Sequence, residues 1–162
     1  MSSKPFAVTS KLMKDIDMTV FDELKKRLVG DGKVVHVGIP EGPKETDGTP
    51  VAMIAAVHEY GSPSQGIPER PFLRVAIYKN RNKYVRLNRI NLVKMMRGQM
   101  DMEQALGKLG EMAKGDVVTE IKDGTFAPLK PATEKRKGST KPLIDTGQMV
   151  QSMQWELGDK ND

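Results

Sequence analysis

Few side chains in this sequence suit catalysis. It contains two histidines, His36 and His58, and no cysteine. Histidine-based acid–base catalysis therefore has two candidate residues, and catalysis by a thiol has none. Ser62 and Ser64 follow His58, but this segment lacks the glycine-flanked elbow that presents a catalytic serine to its base. Isolated histidines in such settings are more often partly buried polar residues than catalysts. We therefore predict no catalytic residue, and a small hydrolase or nuclease is the weakest hypothesis.

The acidic and glycine residues do not follow the spacing of known metal or phosphate sites. The sequence has no HExxH motif, no CxxC motif and no acidic loop of the EF-hand type. Gly38, Gly42 and Gly48 lie close together, but no GK[ST] follows them as in a phosphate-binding loop. The sequence thus predicts neither a metal ion nor a cofactor.

One segment is strongly basic. Residues 71–100 contain eight lysines and arginines and not one aspartate or glutamate. On a helix, like charges three or four residues apart are destabilising by about 0.2–0.5 kcal/mol per pair. Negative charge from elsewhere would relieve this repulsion. Three sources stay open: DNA phosphates, an acidic surface of another protein, and acids elsewhere in the same fold.

The composition predicts one small domain. The chain has 162 residues, of which 38 % are apolar and only 5 % aromatic, and eleven methionines. We expect a small aliphatic core in which methionine fills irregular gaps. No run of about 18 apolar residues is present, and the first residues lack the apolar stretch of a signal peptide. A protein of the cytoplasm without a membrane span is expected.

The hydrophobic pattern predicts an α+β domain over residues 15–157, with a flexible arm at 1–14 and a tail at 158–162. Strands are predicted at 33–39 and 154–157. The predicted helices cover 19–29, 51–59, 71–97, 101–122 and 148–152, with a helical turn at 132–135. In the longest helix the apolar stripe includes Phe72, Tyr78, Ile90 and Val93. Because residues 79–86 are so polar, an interruption of the helix there is compatible with the sequence.

Two segments resemble the neck and tail-completion proteins of bacteriophages. The first, 33–73, contains HEYG at 58–61 and IPERPFL at 67–73. The second, 123–153, ends in PLIDTGQMVQSM, an ending that this family shares with virion-morphogenesis proteins of transposable phages. Both segments occur in the order that the family has. Two features depart from the family pattern: the chain ends soon after the last predicted strand, and residues 71–100 are unusually basic.

The resemblance implies an α+β fold in which a small, mostly antiparallel sheet packs against two or three helices. It implies a structural virion protein of the phage neck, present as a homo-oligomeric ring of six copies that joins the head connector to the tail. Its partners would be other neck, connector and tail proteins, with nonspecific contact to DNA in the channel. We expect the protein to be located in the host cytoplasm during assembly and at the top of the tail in the finished virion. The alternatives are a sequence-nonspecific DNA-binding packaging accessory protein and a tail terminator.

The motifs and the basic segment suggest contacts between subunits. Arg70 is suited to clamping a carboxylate through two hydrogen bonds, and Phe72 to anchoring the start of the long helix. DNA that slides through a channel would be held by a ring of arginines, so we expect the arginines to face protein interfaces. The predicted interface residues are Arg70, Phe72, Arg74, Arg81, Arg86, Arg89, Lys130, Lys135, Arg136, Asp145 and Thr146.

Overall fold

A computed structural model describes residues 22–23, 32–137, 141–143 and 147–159 of the chain. The described elements are β1 (Lys33–Gly38), α1 (Val51–Tyr60), α2 (Phe72–Met96), α3 (Met102–Asp123), α4 (Pro131–Lys137), α5 (Gln148–Gln151) and β2 (Gln154–Asp159). A 3-10 turn, Pro63–Gln65, lies between α1 and α2. The predicted α+β fold is confirmed. The predicted arm at 1–14, and the helix at 19–29 apart from the helical Asp22 and Glu23, lie outside the described residues.

The two strands form an antiparallel sheet with Val37 opposite Trp155 and Val34 opposite Gly158. The β-branched residues of β1 favour this extended conformation. β2 continues to Asp159, so Gly158 and Asp159 belong to the sheet and not to the predicted tail. The end is held by an ion pair of 2.9 Å between Lys33 and Asp159. A two-stranded sheet is only marginally stable by itself, and here both strands pack against α3.

The helices α2 and α3 form an antiparallel pair with a tight turn between them. Gly98 in this turn has φ 68°, which glycine adopts without steric cost. Asp101 and Gln104 then cap α3 reciprocally, each side chain bonding the backbone N–H of the other. None of the helices in the described part of the chain is long and apolar enough to cross a membrane.

α2 runs without a break, although the sequence left room for one at 79–86. Lys79 lies 2.7 Å from a carboxylate oxygen of Glu120, and Lys83 lies 2.5 Å from one of Asp116, so α3 offsets the charge of this stretch. The predicted apolar stripe of α2 is only partly right. Phe72 is buried as expected, whereas Tyr78, Ile90 and Val93 are exposed.

The core is small and mostly aliphatic, as the composition predicts. It joins α1, the start of α2, the second half of α3 and the residues around α5. Its buried members are Val51, Ala55, Phe72, Ala76, Val117, Ile121, Leu143, Met149 and Met153.

Trp155 fixes the sheet against α3. Its ring lies over Gly107 and Gly110, and its Nε1 donates a hydrogen bond of 2.7 Å to Glu111. A Cβ atom at Gly110 would lie 2.4 Å from the ring, closer than any real contact. Glycine weakens a helix by about 1 kcal/mol relative to alanine. At position 110 that weakness is required by the approach of the indole.

Gly110→Ala tests this packing. The added methyl group must displace the indole, so we expect the free energy of unfolding to fall by about 1–3 kcal/mol. Gly115→Ala is the matched control, because a Cβ there meets nothing within 4 Å. Alanine at 115 should stabilise the helix by up to about 1 kcal/mol. Denaturant unfolding followed by circular dichroism measures both variants, and equal shifts would contradict the packing.

Candidate functional site

Glu59, near the end of α1, caps the first turn of α2. Pro71 precedes that helix and makes no side-chain hydrogen bond to its free N–H groups. The carboxylate of Glu59 fills this role, accepting hydrogen bonds of 2.9 Å from the backbone N–H of Leu73 and 3.1 Å from that of Arg74. Its side chain is only 6 % exposed. The negative charge also interacts favourably with the helix dipole.

Arg74 completes this contact from the other side. Its guanidinium donates a hydrogen bond of 3.1 Å to the backbone carbonyl of Glu59, and its Nε lies 3.6 Å from the Glu59 carboxylate. It also pairs with the exposed carboxylate of Glu69 and lies over the Tyr60 ring. The charge of Arg74, one of the predicted interface residues, is thus offset within the chain.

Arg70 links the two segments whose motifs were described in the sequence, residues 33–73 and 123–153; these are called the motif segments below. It is 4 % exposed, and its guanidinium donates hydrogen bonds of 2.8 Å to the carbonyl of Ala127 and 3.0 Å to that of Pro128. Its own backbone N–H donates to the carbonyl of His58 at 2.7 Å. The predicted clamp on a carboxylate is therefore wrong for the described residues. Residues 124–130 form no helix or strand, so their carbonyls need donors from elsewhere, and Arg70 supplies two.

Burial lowers the pKa of the Arg70 guanidinium, because the charged form loses contact with water. The Nδ1 of His58 lies 3.5 Å from an Arg70 nitrogen. Two backbone carbonyls and a histidine nitrogen thus surround a buried cation. Such an arrangement orients chain segments and presents no nucleophile beside a base.

A groove of about 1140 Å³ opens beside this junction. Its walls come from α1, the loop after α1, residues 128–131 and the region around α5, so both motif segments contribute. Its lining combines apolar side chains, such as Met53, Ile67 and Leu129, with polar ones. Lys130 is among the lining residues, and its ammonium lies close to Gly66 on the opposite loop.

The structure brings some of the predicted interface residues together and separates others. Arg70 and Phe72 both lie at the start of α2 and are buried, so neither side chain is available to another subunit. Both side chains instead hold the start of α2 in place. Lys135 is exposed on α4. The side chain of Arg136, and Asp145 and Thr146 with their predicted helix cap, lie outside the described residues.

Along α2 the positive charges fall into two groups. Arg74, Lys79 and Lys83 have acidic partners within the chain. Arg81 lies over the ring of Tyr78, with 4.8 Å to its centre. Five cations make no ion pair with a described residue: Arg81, Arg86, Arg89, Lys94 and Arg97. The sequence left three sources of negative charge open. Acids elsewhere in the fold, which are one of them, neutralise only the first group.

Tyr84 follows Lys83 on α2. Its hydroxyl is buried, and burial first and the neighbouring Asp116 carboxylate second raise its pKa. The phenol therefore stays neutral beside the Lys83–Asp116 pair.

Sequence reasoning missed Glu59, the residue that organises the site. One signal was present: a helix that opens after Pro71 with no serine, threonine, aspartate or asparagine directly before it needs an acceptor from another element. No feature of the sequence distinguishes Glu59 from the other acids as that acceptor.

Comparison of the chain with protein-family models, with curated proteins and with solved structures finds no match.

Glu59→Gln tests the capping contact. An amide retains one acceptor but loses the charge and one of the two N–H contacts, so we expect the protein to lose about 1–2 kcal/mol of stability. Glu69→Gln is the control, because it removes an exposed carboxylate that also pairs with Arg74 and should change stability by at most about 1 kcal/mol. Thermal and denaturant unfolding compare them. If the two variants are equally stable, Glu59 is not the cap.

Arg70→Lys tests the junction between the motif segments. Lysine keeps the charge but has no planar fork to reach both carbonyls, so we expect a loss of about 1–3 kcal/mol. Arg86→Lys provides the control at an exposed position, where the change should stay within about 0.5 kcal/mol. Denaturant unfolding gives both values, and a neutral Arg70→Lys would mean that the carbonyls find other donors.

Proposed function

We propose that this chain is a structural virion protein of the bacteriophage neck, a ring-forming tail-completion subunit that joins the head connector to the tail. One observation carries the proposal. The two segments that resemble neck proteins lie far apart in the sequence, yet they meet in the fold through the hydrogen bonds of Arg70 to Ala127 and Pro128. If the resemblance were accidental, nothing would require its two halves to join.

The chemistry of the junction suits a structural role. Glu59 and Arg70 fix the start of α2 relative to α1 and to residues 124–130. With 25 residues, the helix is about 37 Å long at 1.5 Å per residue. A subunit of a closed ring must present different patches to its two neighbours at a constant angle. A long helix held at its base by buried polar contacts meets that requirement.

The alternative of a DNA-binding packaging factor receives less support. A surface that binds phosphates gains from closely placed cations and gains little from apolar side chains. On α2 the cations that have no acidic partner among the described residues alternate with exposed apolar residues, among them Val85, Leu92 and Met96. This mixture is more typical of a surface that meets another protein.

Particles of the virus that encodes this chain test the proposal. We expect a reconstruction at subunit resolution to show several copies at the neck, with six favoured because long-tailed phage tails are usually six-fold. Removing the protein should leave DNA-filled heads and finished tails that do not join. A single copy at the neck, or none, contradicts the proposal, as does normal joining without the protein.

A further inference from the structure

The second half of α2 exposes an unusual amount of apolar surface. Val85, Ile90, Leu92, Val93 and Met96 are each between 44 % and 55 % exposed. Only a narrow strip of this half faces α3. In that strip Met95 is buried, and the buried Asn91 donates a hydrogen bond of 3.2 Å to the carbonyl of Ala105. On the opposite side of the helix the five apolar side chains stay about half exposed.

The same surface carries four cations that have no acidic partner among the described residues: Arg86, Arg89, Lys94 and Arg97. Two pairs of them, Arg86 with Arg89 and Lys94 with Arg97, are three residues apart on one helix, where like charges repel. Residues 71–100 contain no acid that could relieve them. Lys79 and Lys83, in the first half, obtain carboxylates from α3. The first half of α2 therefore has acidic partners within the chain, whereas the cations of the second half have none among the described residues.

We propose that this distal face, residues 85–97, binds an acidic amphipathic helix of a different protein. The apolar side chains from Val85 to Met96 extend over three turns, about 16 Å at 1.5 Å per residue. A second helix of similar length would cover them, as α3 covers the other side of α2. Acids flanking its apolar strip at spacings of three or four residues would lie opposite the cations.

Charge complementarity excludes the simplest other occupants. A second copy that docked through this same face would bring the four cations against four more and raise the repulsion. DNA would neutralise the cations but leave the five apolar side chains without a contact that shields them from water. A protein helix with both carboxylates and apolar residues satisfies both sets of side chains.

That the partner is a neighbouring virion protein rests on the proposed neck function. The exposed surface and its affinity for an acidic helix do not depend on the proposed neck function. An experiment on the isolated chain therefore separates the two: helix binding without neck assembly would refute the neck function alone.

The test measures binding of the full chain to three probes by fluorescence anisotropy. One is a synthetic amphipathic helix with leucine and glutamate, the second its counterpart with lysine in place of glutamate, and the third a short DNA duplex. We expect the acidic helix to bind best. R86E/R89E should weaken its binding by at least about tenfold, the effect of 1.4 kcal/mol, and V85Q/L92Q, which leaves the charge unchanged, should weaken it comparably.

The matched control is K44E/K108E. Both lysines are exposed, make no ion pair with a described residue and lie outside α2, and the net charge changes by the same amount. This variant should bind the acidic helix within about twofold of the unaltered chain, and circular dichroism should show all variants folded. Equal loss in K44E/K108E would reduce the effect to net charge. Full binding by V85Q/L92Q, tighter binding of the duplex, or self-association that R86E/R89E abolishes would each overturn the proposal.

Discussion

A buried carboxylate is unfavourable unless donors and cations surround it, and Glu59 obtains both from the first turn of α2. Two backbone N–H groups and the guanidinium of Arg74 surround it. The contact stabilises a helix that has no cap of its own, and it holds α1 at a fixed position on that helix. Since Phe72 enters the core directly beside this turn, the packing of α1 against α2 depends on the same few atoms.

A second buried polar contact extends this arrangement to the far end of the sequence. Arg70 bonds the carbonyls of Ala127 and Pro128, which follow α3 and precede α4. The start of α2 is thereby tied both to the element before it and to a segment more than fifty residues later. Among the described residues, the rest of α2 packs mainly against α3, through Lys79, Lys83 and a strip of buried side chains. One end of the helix is fixed by polar contacts and the other presents its outer face to solvent.

The pattern of apolar residues predicted most elements within one or two residues, because period and turn residues are local properties. Contacts between distant elements were beyond it. The capping role of Glu59 depends on α1 ending beside α2, and the need for glycine at 110 depends on Trp155 arriving from a strand more than forty residues later. The apolar stripe of α2 was only partly predicted for another reason. That helix has apolar residues on two sides, and periodicity does not say which side meets α3.

The pairing of β1 with β2 has a consequence for how the chain is made. Val34 and Gly158 face each other across the sheet, so the first described strand must wait for the last one to leave the ribosome. The α2–α3 pair uses neighbouring parts of the sequence and can form earlier during translation. Chains released before β2 would leave β1 without its partner strand and the face of α3 at Gly107 and Gly110 without its tryptophan. Such truncated products would expose apolar surface and would be more open to proteolysis than chains that carry both strands.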